Sequence, residues 1–75
     1  MNKQRRDKIS IGVKKLNEAL DIFQDVLSDE EIAFDNLSEG LQQTTRGEAM
    51  VDNIDILNSS IDSINEILDD IQDIQ

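Results

Sequence analysis

From Met50 onward, apolar residues recur at Met50, Ile54, Leu57, Ile61, Ile64, Leu68 and Ile71, in alternating steps of four and three. That spacing holds one stripe on one side of a helix for three heptads. It constrains the stretch from Arg46 to Gln75 to a long amphipathic helix that must lie against another helix. The first half repeats the pattern at Ile9, Val13, Leu16, Leu20, Phe23, Leu27, Phe34 and Leu37, with Glu30 out of pattern. The expected fold is all-α: an antiparallel helical hairpin forming a single domain over residues 1–75. Helix 1 is expected over about 4–36, the turn over 37–44 and helix 2 over about 45–74.

Local signals place the ends. Residues 1–8 are polar and basic and are expected to fray. Ser28 to Glu31 reads S-x-x-E, a pattern that can start a new helix. The seam resumes in phase at Phe34 with no Gly or Pro between, so helix 1 is expected to run through. Gly40 and Gly47 punctuate the turn, and Leu37 and Leu41 are expected to fold back over the end of the hairpin. Thr45 with Glu48 forms T-x-x-E, expected to cap helix 2, with Gly47 tolerated in its first turn. Gly12 costs about 1 kcal/mol in a helix relative to Ala, so a close neighbouring backbone is expected there.

A chain of 75 residues buries only ~60% of its unfolded surface, which makes a lone core marginal. Cys and His are both absent, which removes disulfides, thiolate or imidazole catalysis and the usual zinc ligands. Helix packing and self-association remain as sources of stability. With Met50, Leu57, Ile64 and Ile71 at heptad position d, the e and g flanks of helix 2 (Val51, Asn58, Asn65, Gln72; Asn53, Ser60, Ile67, Ile74) carry no charge. A two-stranded coiled coil normally places Glu and Lys there. Uncharged flanks suggest that each helix touches two neighbours, as in a four-helix bundle made by two chains. The expected homodimer buries Leu16, Leu20, Phe23, Leu27, Leu57, Ile61, Ile64 and Leu68.

The net charge of −10 is unevenly spread. Residues 1–15 hold six bases against Asp7, whereas residues 16–75 hold sixteen acids and only Arg46. The bases crowd the start of helix 1 and the acids the end of helix 2, against both helix dipoles. An antiparallel hairpin would bring Arg5, Arg6 and Lys8 opposite Asp69, Asp70 and Asp73, and their pairing is expected to help select that topology. The acids of helix 2 all fall at b, c or f, away from the seam.

The segments Asp29-Glu30-Glu31, Ala33 to Leu37, Glu39 to Gln42 and Arg46 to Met50, with the Ile54-Asp55 and Ile61-Asp62 steps, resemble a group of short acidic helical proteins. These are encoded by Firmicutes phages, prophages and mobile elements and have no assigned activity. Many of them carry Pro where this chain has Ser38, which implies that helix 1 ends before that position.

No enzyme, cofactor or metal site is expected. Asp52 to Leu57 lacks the Gly and ligand phase of a calcium loop, and two carboxylates need a cleft to act as an acid and base pair. No stretch is apolar enough to span a membrane, no apolar segment follows the basic start, and a cytoplasmic location is expected. The basic tail lacks aromatic residues for stacking, so direct nucleic-acid binding is not expected. The leading functional expectation is an interaction protein that modulates a host or phage protein, such as a basic nucleic-acid-binding protein. Its contacts would be Asp55, Asp62, Glu66, Asp69 and Asp73 as a mimic of the phosphate backbone, with Ile22 and Arg46 as further contact candidates. The alternatives are a merely solvated acidic face and a structural protein whose only partner is itself.

Overall fold

A computed structural model describes residues 1–74; Gln75, the last residue of the expected domain, lies outside the described residues. The chain forms α1 (Lys3–Asp35), α2 (Glu39–Gln42) and α3 (Thr45–Gln72), with no strand among the described residues. The fold is all-α. α1 and α3 lie side by side and antiparallel: Ile9 and Val13 line one cleft with Ile71 and Ile74, and Val26 and Glu30 line another with Asn53 and Leu57. The result is a rod of 58 × 15 × 13 Å.

α1 begins where Asn2 accepts a 2.9 Å hydrogen bond from the Arg5 N–H, which satisfies one of the donors left open at a helix start. The basic segment expected to fray is therefore helical from Lys3 onward. α1 runs unbroken through Ser28 to Glu31, as the in-phase seam requires. It ends at Asn36, where its last carbonyls need partners. The backbone N–H groups of Asn36 and Leu37 donate to the Ile32 and Phe34 carbonyls, and Gln42 ties the turn to this end, its Nε2 donating to the carbonyls of Phe34 at 3.1 Å and Leu37 at 3.3 Å.

The turn is more ordered than expected. Ser38 caps the short α2, its Oγ accepting from the Leu41 N–H. Thr44, one residue earlier than expected, caps α3 by accepting from the Gly47 N–H at 3.3 Å. Its hydroxyl also donates to the Leu41 carbonyl at 2.6 Å. Thr44 thus joins α2 to α3 with one oxygen. Leu37 is half-buried as expected, but Leu41 stays exposed.

The two glycines at issue reverse their expected roles. A Cβ on Gly12 would meet nothing within 4 Å, so no backbone approaches it within the hairpin. Gly47 is buried, and a Cβ there would collide with the Gln42 carbonyl oxygen and lie 2.6 Å from its carbon. The α2-to-α3 corner is tight enough that only a residue without a side chain fits.

The fully buried core is Leu20, Ile61 and Leu68, with Val13, Leu16, Leu27 and Ile64 packed against it. Burying such a side chain contributes about 1.5–3 kcal/mol. Phe23, expected to be buried by the dimer, is 43% exposed in the hairpin alone. On α1 the buried stripe is centred on Leu20, one step round the helix from the Phe23 row. Two helices alone cover only a narrow strip of each other.

Candidate interaction surfaces

The two long sides of the rod differ. One side carries the polar flank: Ser10, Asn17 and Gln24 from α1 and Asn58, Asn65 and Gln72 from α3, all exposed. Asn17 turns back onto its own helix, its Nδ2 donating to the Val13 carbonyl at 3.1 Å. The other side is an apolar groove. Phe23, Leu57, Ser60, Ile61 and Ile64 line one part of it, and Val26, Glu30, Asn53, Ile56 and Leu57 the next. Shared Leu57 makes the two continuous. Ile56, 61% exposed, lines the groove; Ile22, equally exposed, stands one turn before Val26 on α1, and Ile67 on α3 and Ile74 past its end are exposed farther along.

This sidedness was missed in the sequence because the uncharged flanks were treated as equivalent. The signal is present: one flank is mostly amides and Ser, with Val51 and Glu31, and the other mostly small or apolar residues, with Asn53. Glu30 is half-buried in the groove wall, and the exposed Arg46 near the start of α3 forms no ion pair with it among the described residues.

The acidic residues behave as their heptad positions require. Asp55, Asp62, Glu66 and Asp69 along α3, and Asp73 at its C-cap, are all exposed. Ser59 and Ser63, between them, donate to carbonyls of their own helix, to Asp55 at 3.0 Å and to Ser59 at 3.0 Å respectively. No family model, curated protein or solved structure matches this chain. The surfaces must therefore be read from their own chemistry. Among the described residues no group of acids is gathered closely enough to hold a metal ion, and no helix is long and apolar enough to cross a membrane.

The structure does not bring the sequence-predicted contact residues together. The acids form a stripe on the outside of α3, Ile22 lies beside the groove on α1, and Arg46 sits at the turn end. The expected pairing across the open end is also absent: among the described residues, none of Arg5, Arg6 and Lys8 forms an ion pair with Asp69, Asp70 or Asp73. Arg6 instead lines a cleft with Ile9, Val13 and Ile71, its aliphatic stem covering apolar surface. Exposed pairs contribute little to stability, so the antiparallel arrangement rests on the apolar seam and the corner.

Proposed function

We propose that this chain is a non-enzymatic interaction protein of a phage or mobile element. In this reading it works as a homodimeric four-helix bundle and holds a basic protein partner on its acidic stripe. The observation that carries the reading is the stripe itself: four exposed carboxylates on α3 and a fifth, Asp73, at its C-cap, spread over ~27 Å. No base follows Arg46 in the sequence. Such a surface repels nucleic acid and attracts the groove that would bind it. The non-enzymatic part is supported by the lack of Cys, His and Tyr and by the open placement of the carboxylates.

The test replaces Asp62, Glu66 and Asp69 together by Asn, Gln and Asn, none of which touches the buried seam. A partner captured by the parent protein should be lost by this variant at unchanged helicity, and duplex DNA should compete for it. Affinity unchanged by the substitutions at both low and high salt would reject the acidic stripe as the contact. The second reading, a structural protein whose only partner is itself, is favoured by the groove, because an apolar groove this long is poorly suited to remaining in water.

A further inference from the structure

Resting on the self-association proposed above, we infer that the groove is filled by a second copy of this chain lying head-to-tail, α1 on α1 and α3 on α3, about a two-fold axis passing close to Ile22 and Phe23. The first argument is size. One long side of a 58 × 15 Å rod is close to the ~800 Å² per partner of a standard interface. Among the described residues, the buried apolar side chains without it are only Leu20, Ile61 and Leu68.

The second argument is a pattern along the groove. On α1, Val26 lines the groove, and the row on its side of the helix follows its own four-three spacing: Lys8, Gly12, Lys15, Ala19, Ile22, Val26, Asp29 and Ala33. Its charges change sign about Ile22, with Lys15 seven residues before and Asp29 seven after. A two-fold axis there sets Lys15 of each copy beside Asp29 of the other and small Gly12 beside small Ala33. On α3 the corresponding row reads Ile56, Ser60, Ser63, Ile67, symmetric about a point between Ile61 and Asp62. One axis can serve both helices only if these two centres lie at the same height on the rod. They do: Phe23 lines the groove together with Ser60, Ile61 and Ile64.

The third argument is long-range charge. The half of the rod nearer the turn, residues 23–60, holds nine acids against Arg46, a net of −8. The other half carries the remaining −2 of the chain's −10. Copies aligned turn to turn would stack the two −8 halves. Head-to-tail packing sets each against the end that holds six of the seven bases.

The chain has no cysteine, so one introduced thiol gives one labelling position per copy. Nitroxides on Ile22→Cys and on Gln4→Cys, both exposed positions, separate the arrangements by pulsed electron resonance. Head-to-tail packing predicts a pair distance under ~25 Å at Ile22→Cys and ~54 Å at Gln4→Cys, from a rise of ~1.5 Å per residue. Short distances at both positions would overturn the head-to-tail register while leaving self-association intact. A folded, monomeric 8.5 kDa species in sedimentation at tens of micromolar would overturn both. As a second measurement, Lys15→Asp and Asp29→Lys should each weaken the dimer roughly tenfold, since each contact occurs twice. The double variant should recover it; a double variant no tighter than the singles would overturn the Lys15 to Asp29 contact and with it the axis.

Discussion

Gly47 and Gln42 are the two residues on which the corner depends, and each by a different means. Gly47 leaves the space that the Gln42 carbonyl occupies. Gly47→Ala should therefore destabilise the fold by about 1–3 kcal/mol, the usual cost of forcing atoms into a filled site, seen as a lower thermal midpoint by circular dichroism. Gly12→Ala is the contrast. Within the hairpin nothing lies near its Cβ position, and removing a mid-helix glycine should stabilise the hairpin by about 1 kcal/mol. Gln42→Ala removes the hydrogen bonds to the Phe34 and Leu37 carbonyls; Phe34 keeps the Leu37 N–H, so the variant should cost about 1 kcal/mol, for the one Leu37 carbonyl left without a protein partner. Gln42→Glu offers acceptors where a donor is needed and should be no better than Gln42→Ala in the same melt.

At the scale of the elements, the α1 to α3 seam depends on a short run of residues. Leu68 is 4% exposed, and Leu68→Ala should cost about 2–5 kcal/mol through lost burial and the cavity left behind. Leu20→Asp should unfold the chain outright, because an unpaired charge in that position costs several kcal/mol; loss of the helical signal at 222 nm checks it. The two long helices, the continuity of α1 through Ser28 and the seam residues were legible because a four-three repeat over many turns has few other solutions. The corner was legible only in part. T-x-x-E patterns name a capping residue from sequence alone, but Thr44 wins over Thr45 because its hydroxyl also reaches the Leu41 carbonyl, a contact set by where α2 ends. That Phe23 stays 43% exposed in the hairpin alone was not legible. A heptad assigns a and d to one stripe, and two helices by themselves cover only part of it. The acidic stripe was readable residue by residue, since b and f positions stay outside whatever the partner of the seam.

The whole molecule carries a charge of −10 in 75 residues, concentrated on a rod only 15 Å across. Its charges lie within a few Debye lengths of one another, and the Debye length falls from ~30 Å at 0.01 M salt to ~8 Å at 0.15 M. Thermal stability should therefore rise with sodium chloride over this range, through relief of self-repulsion, while the affinity for a basic partner falls. Opposite slopes for the two quantities, measured in the same buffers, are the expected result; a midpoint independent of salt would show that the acids are too far apart to matter. The hairpin also fixes an order of events in time. Val26 and Asn53 border one cleft across a shorter stretch of chain, whereas Ile9 and Ile71 border another from nearly opposite ends of the sequence. Closing the larger loop costs more entropy unless the smaller has already formed. The hairpin then assembles as a zipper from its corner outward and opens from its free end. In stopped-flow kinetics Gly47→Ala should slow folding, while Ile71→Ala should leave the folding rate nearly unchanged and speed unfolding.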